Sequence, residues 1–264
     1  MTYQTLQLEI AHGAATVTLN RPDVRNAFNE TVIAELNNVF LELGQDEQVR
    51  AIVLAANGPA FCAGADLNWM KKMANYTPEQ NLEDAQQLAE MLYQIYSCAK
   101  PVIAKVQGDC YAGGMGLVAA CDIAVTVDSA NFCLSEVKLG LIPATISPYV
   151  IKAMGPNAAR RYFITAERFS AQEAHRIGFV HESVPAENLD QTVAQIVNAI
   201  VNNGPNAVIA AKWLVEDVTG AEIEEDLLTY TAECIADIRS SPEGKEGVAS
   251  FLEKRKPNWL LHLN

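Results

Sequence analysis

The chain is short of positive charge. Its 264 residues carry 19 Lys and Arg against 32 Asp and Glu, a formal net charge of −13. Nucleic-acid binding rests on neutralising phosphates, so this balance disfavours nucleic acid as a main partner, while leaving room for a local cationic patch that holds one anionic ligand. Histidine is scarce as well: the four, at 12, 175, 181 and 262, form no close cluster. The cysteines at 62, 98, 110, 121, 133 and 234 show no paired metal-ligand spacing. No metal site is expected, and since most of the cysteines lie in apolar runs, reduced core thiols are expected rather than disulfides. No apolar stretch approaches the roughly 20 residues that span a bilayer, and Met1–Ile10 has no basic region followed by an apolar core. The expectation is a cytoplasmic protein without a membrane partner. Internal repeats and low-complexity segments are also lacking. What remains is a globular composition, half hydrophobic and 19% charged, long enough for one large α/β domain or a domain with a helical appendage.

Leu6–Ile10 and Ala15–Leu19 alternate apolar and polar residues around His12-Gly13, the pattern of a hairpin. Asn29 stands as the cap of a helix to about Leu43, with Val32, Ile33, Leu36, Val39 and Phe40 inward. Ala51–Ala56, Val102–Val106 and Ile123–Val127 read as buried strands. Thr77 or Pro78 starts a long amphipathic helix through Leu82, Ala85, Leu88, Leu92 and Ile95. Gly114–Ala120 reads as a helix and Asn131–Leu134 as a short extended piece. From about Pro156 the chain is mainly helical, over Ala158–Thr165, Ser170–Ile177, Leu189–Asn202, Asn206–Asp217, Ile223–Arg239 and Glu243–Lys254. A boundary near Gly204-Pro205 divides residues 1–204, an α/β core, from 205–264, a helical module. The pattern alone leaves a doubly wound sheet and a spiral both open.

Two glycine turns carry the chemistry. Phe61-Cys62-Ala63-Gly64-Ala65-Asp66-Leu67 follows the first buried strand, and Tyr111-Ala112-Gly113-Gly114-Met115-Gly116 the second. Each reads as a strand opening through small residues into a helix, where backbone N–H groups point outward unpaired. Two such turns facing one point form an oxyanion hole, which points to chemistry on a thioester. Glu136, in Leu134-Ser135-Glu136-Val137, is the group placed to move a proton there.

With these motifs the chain resembles the crotonases, the enoyl-CoA hydratase/isomerase superfamily, over nearly its whole length. Asn20-Arg21-Pro22 with Asn26-Ala27, the two glycine turns, Cys121-Asp122-Ile123, Glu136 through Pro143, and Phe251 through Pro257 occur in the family's order. The resemblance implies an α/β fold of stacked ββα turns in a ClpP-like spiral core, with a C-terminal helical trimerisation module. It implies an acyl-CoA substrate, with no cofactor beyond the CoA of the thioester, and a homotrimer or dimer of trimers. By alignment, the N–H groups of Ala65 and Gly113 would bind the thioester oxygen. Asn26, Ala27, Ala63 and Asp66 would contact CoA, and Arg25 and the Lys254-Arg255-Lys256 run would meet its phosphates.

One departure matters. The family's hydratases carry two glutamates, and the position of the first is Gly116 here, leaving Glu136 alone. A single carboxylate can take a proton from water and return it to the substrate, or shuttle one between two carbons, so hydratase and isomerase both stay open. A decarboxylase or thioesterase on the same scaffold, and a non-catalytic acyl-CoA-binding or RNA-binding member, stay open too. The stretch Ala144-Thr145-Ile146-Ser147-Pro148-Tyr149 and the upstream Gly116–Asp122 are similar to bacterial hydratases of branched glutaconyl-CoA esters, such as 3-methylglutaconyl-CoA of leucine breakdown. For such a substrate Lys71 and Lys72, or the hydroxyls of Ser147 and Tyr149, would attract the second carboxylate. Met115 and Gly116 would line the pocket. Asp122 is assigned to structure and Cys62 to the core.

Overall fold

His12 and Gly13 both adopt positive φ, 51° and 78°, which is the hairpin turn whose twist matches its flanking strands. They join β1 (Leu6–Ala11) to β2 (Ala14–Leu19) in the computed structural model, which describes residues 3–261; residues 1–2 and 262–264, His262 among them, lie outside the described residues. Asn29 then caps α1 (Glu30–Gln45), accepting the Val32 N–H at 3.1 Å, and the five apolar residues expected inward are all buried.

Three times the chain then runs through two strands, each pair followed by helix. The first of each pair joins one sheet and the second another. β3 (Ala51–Ala56) leads to β4 (Ala60–Cys62), followed by α2 (Leu67–Met73) and α3 (Pro78–Tyr96). β5 (Val102–Val106) leads to β6 (Asp109–Tyr111) and α4 (Gly113–Ala119); β7 (Ile123–Val127) leads to β8 (Asn131–Cys133) and, further on, α5 (Ser147–Thr165). β9 (Phe169–Ser170), α6 (Ala171–Arg176), β10 (Glu182–Val184) and α7 (Leu189–Val201) complete the core. The larger sheet has the order β1-β2-β3-β5-β7-β10, parallel except at the hairpin, and the smaller the order β4-β6-β8-β9. This stacking of ββα turns is the spiral that the resemblance implies.

The continuous apolar strands β3 and β5 are buried on both faces, as parallel strands between layers require. Beyond Gly204 come α8 (Pro205–Val218), α9 (Glu225–Ser240) and α10 (Pro242–Leu252). Lys212 ties α8 to the core, donating to the Cys98 carbonyl and the Asp122 carboxylate, both at 2.8 Å. Asp122 also accepts the Val102 N–H at 2.7 Å, so its place is structural.

Three local expectations are corrected. The buried strands do not open directly into helices: β4 and β6, three residues each, come between and carry the glycine turns away from the larger sheet. Residues 147–154 are helical, and the helix breaks at Gly155 (φ 76°, ψ 158°) before Pro156 and not at its start. Leu82 is 60% exposed, because the first half of α3 has no layer above it and only Met91, Leu92 and Ile95 are buried.

Candidate active site

Ala65 pairs with Phe28 in a parallel bridge. The Phe28 N–H donates to the Gly64 carbonyl at 2.9 Å, and the Asp66 N–H donates to the Phe28 carbonyl at 3.0 Å. Both bonds use the neighbours of Ala65, so its own N–H points to the other side. Gly113 is the first residue of α4, where a helix leaves its amides unpaired. It is aimed by Ala112, a non-glycine residue at φ 48° and ψ −126° whose own N–H is tied to the Cys133 carbonyl at 2.8 Å. Strained backbone of this kind persists only where its surroundings hold it. Among the described residues no acceptor meets either the Ala65 or the Gly113 N–H. The two turns touch: a Cβ built on Gly64 would stand 3.0 Å from the Ala112 Cβ and 3.7 Å from the Gly113 nitrogen. On Gly113 it would strike the Phe28 ring at 2.3 Å, so only glycine fits there.

A half-buried ion pair braces the first turn. Asp66 caps α2, accepting the Asn68 N–H at 2.7 Å and the Trp69 N–H at 3.4 Å, and its second oxygen takes Arg21 at 2.8 Å. Burial raises the Asp66 carboxyl, but the Arg21 bond and the two amides outweigh it and hold the group below its ordinary range. Asn26 is buried with φ 53°; its side chain accepts the Arg21 N–H and donates to the Asn57 and Ala60 carbonyls. The Arg21 guanidinium also donates to the Ala27 carbonyl. These residues hold the turn from behind.

The turns open into a cleft of about 640 Å³ walled by α2, the first half of α3, and the segment from Ser135 to Ile146. Glu136 enters it from the end of β8, at the start of a short 3₁₀ turn closed by Gly140 at φ 72°. Its Oε2 is buried without a hydrogen-bond partner. Burial pushes the Glu136 carboxyl above the usual carboxylate range, only partly offset by its own backbone N–H. Such a group can both take and return a proton near neutral pH.

Of the residues expected to form the site, Ala65, Gly113, Glu136 and Ala63 line this cleft. Several others do not. Met115 is fully buried in the core, and Gly116 faces Ile146 and Leu92 inside the packing. The Ser147 hydroxyl is spent on the Ala144 carbonyl at 2.7 Å. Lys72 pairs with Glu30 at 2.9 Å, and Lys71 lies exposed next to it; neither lines the cleft, because α2 turns its Met70 and Met73 inward. Tyr149 packs edge-on against Tyr96 instead. The side chains of Asn26 and Asp66 are consumed by internal bonds. Arg25 is exposed next to the first turn, and Lys254 stands just past α10, away from the cleft lining. Cys62 is buried with its thiol pushed up to about 12, a core residue and no nucleophile.

The family model described as enoyl-CoA hydratase/isomerase matches residues 9–261. The chain belongs to that family. It is an enzyme, a hydro-lyase of the enoyl-CoA hydratase type. It is similar to an enoyl-CoA hydratase structure from Shewanella pealeana, at 43% identity and a TM-score of 0.94, covering 98% of this chain and 97% of that one. Among curated relatives, the short-chain-enoyl-CoA hydratase of Clostridium acetobutylicum is 31% identical over 94% of this chain and 95% of its own. The hydroxycinnamoyl-CoA hydratase-lyase of Pseudomonas fluorescens is 35% identical over 80% and 77%.

Two features of this hydratase site escaped sequence reasoning. Asp84 lines the cleft from α3, accepting the Trp69 indole N–H at 2.9 Å. Its signal was a charge at i, i+4, i+8 spacing with Leu88 and Leu92, on the stripe read as apolar. Ile146 is the second: it occupies the space beside position 116, and no local pattern announces a contact across 30 residues of chain.

Proposed function

We propose that the chain hydrates a branched, glutaconyl-type 2-enoyl-CoA such as 3-methylglutaconyl-CoA, with Glu136 as its one proton-moving group. The observation that carries this is a carboxyl with an unpartnered buried oxygen in the same cleft as two unpaired amides. The thioester oxygen accepts from the Ala65 and Gly113 N–H groups, which draws electron density from the double bond. Glu136 takes a proton from water as the water oxygen bonds to the β-carbon. It then gives that proton to the α-carbon on the same face, so the carboxylate is regenerated and one water is consumed. Oxyanion donors of this kind typically contribute about 2.7–4 kcal/mol each to the transition state.

The acyl class is supported by the segment Ala144–Tyr149 and by a cleft wall that mixes Leu88, Ile142 and Ile146 with the polar Asn81 and Thr145. Arg25 and, from a neighbouring subunit, Lys254 are positioned by this reading on the CoA phosphates. A homotrimer or dimer of trimers is supported by α8 and α9, which carry no buried residue yet show Leu214, Val215, Leu228 and Ile235 to solvent.

The test is a hydration assay on 3-methylglutaconyl-CoA, crotonyl-CoA and a 3-enoyl-CoA in ¹⁸O-labelled water. Preferred turnover of the first with label in the product is expected. Equal turnover of crotonyl-CoA would remove the glutaconyl preference, and unlabelled product would remove hydration.

A further inference from the structure

We propose that Phe28 is a positioning residue that sets the spacing and tilt of the two oxyanion amides, its main chain holding the first and its ring the second. The inference rests on the reading that the Ala65 and Gly113 N–H groups receive the thioester oxygen, and says what keeps them converged.

An oxyanion hole works only if both donors stand about 2.7–3.1 Å from one point. Here the two donors belong to separate turns, and Phe28 reaches both. Its N–H and carbonyl bond Gly64 and Asp66, on either side of Ala65, at 2.9 and 3.0 Å. Its ring abuts the other turn. A Cβ built on Gly113 would stand 2.3 Å from the Phe28 Cζ and 2.9 Å from its Cε1, so the far end of the ring lies against Gly113.

The turns meet once more, where Gly64 faces the Ala112 Cβ. A single contact would fix their separation and leave their relative tilt free. With the ring as a second contact both are fixed, because close-packed interiors transmit strain from one side to the other.

The ring has nowhere to retreat. It is 2% exposed, and the Trp69 ring lies tilted against it with 5.9 Å between centroids. Trp69 is itself pinned twice: Asp66 accepts its main-chain N–H at 3.4 Å and Asp84 its indole N–H at 2.9 Å. Along the chain, Phe28 stands between Ala27, whose carbonyl takes Arg21, and Asn29, the cap of α1. From the far side Gly113 is backed by the Cys133 bond at Ala112, and by Gly114, which has no room for a Cβ against Cys62. A misplacement of about 1 Å at such a site costs about hundredfold in rate.

The test is the carbonyl band of bound butyryl-CoA, which is saturated and so unreactive. It is read as a ¹³C-minus-¹²C infrared difference on the intact enzyme, beside steady-state hydration kinetics. In wild type the band should lie below its position in free butyryl-CoA, because both amides polarise the carbonyl. Phe28→Leu stops the side chain short of Gly113 and leaves the main-chain bonds in place. It should lose about half or more of that shift, and kcat should fall about tenfold to hundredfold with KM little changed. Phe28→Met, which fills the core without a ring, should move both in the same direction and is the variant to read if Phe28→Leu does not fold. Phe40→Leu, at a core ring of α1 outside the cleft lining, should lower the urea midpoint and leave the band and kcat as in wild type. Gly113→Ala should cost less in kcat in the Phe28→Leu background than in wild type, since its methyl then enters vacated space. A shifted wild-type band that survives both Phe28 variants, a Phe40→Leu loss as large as theirs, or additive losses in the Gly113 cycle would overturn the proposal alone. A wild-type band unshifted on binding would overturn the oxyanion reading and this inference with it.

Discussion

A Cβ built on Gly116 lies 2.2 Å from the Ile146 Cγ2 and 2.8 Å from its Cβ, so Ile146 fills the space that any other residue at 116 would need. The position of the family's first glutamate is thus packed shut by an apolar side chain from the wall of the cleft. The absence of a carboxylate at position 116 is a property of the packing as much as of the sequence.

Gly116→Ala should therefore destabilise the fold by about 2 kcal/mol, in the range of overpacked cores. Gly116→Glu should neither fold well nor regain a second acid. The measurement is the urea midpoint of each variant. Pairing Gly116→Ala with Ile146→Ala, which removes the Ile146 Cγ2, should cost less than the sum of the two single losses, and simple additivity would show that the two positions do not compete for space.

Glu136→Gln keeps the shape and removes the proton carrier. Turnover should fall at least about hundredfold, the lower end for general acid–base groups, with KM little changed. Steady-state kinetics on a hydratable thioester reads both numbers. Near-full turnover would take Glu136 out of the mechanism.

The same residue should leave a mark on stability. Its folded carboxyl is raised by burial, so the folded state holds a proton in the window between the ordinary carboxylate range and the raised value. That contribution is complete below the unfolded value and is lost as pH rises through the folded one. Glu136→Gln should accordingly melt at a higher temperature than wild type at pH 8, with the gap closing as pH falls toward the ordinary carboxylate range. A gap independent of pH would contradict the assignment.

Arg21→Ala removes the partner of Asp66 behind the first oxyanion turn. The two amides capped by Asp66 remain, so the loss should be about 2 kcal/mol, as for hydrogen bonds to charged groups. The Ala65 amide is positioned by this pair, and kcat should fall more than KM rises. Equal turnover in the variant would make the pair purely structural.

Lys212→Met tests the fastening of α8. It strips the cation from Asp122, whose carboxyl is already raised by burial against the pull of Lys212. Breaking a buried pair in this way is expected to destabilise by about 3 kcal/mol. The denaturation midpoint at neutral pH checks it.

Short-range pattern decided a good deal. The hairpin turn, the Asn29 cap, and the strands 51–56, 102–106 and 123–127 were legible because they depend on local turn chemistry and on which residues avoid water. The glycine turns and Glu136 were legible as motifs, since an amide at a helix start and an acid at a strand end are local features. Tertiary structure decided what those features face. Three-residue strands such as β4 and β6 carry too few residues for a period to show. Lys71 and Lys72 occupy the face of α2 away from the cleft, and Met70 and Met73 the face toward it; a rotation of about 100° per residue separates the two outcomes. Whether Gly116 leaves a vacancy or a packed contact depended on Ile146, a residue brought beside it only by folding. Sequence sets which groups a chain owns and how each short segment bends, and packing alone sets which of them share a cavity.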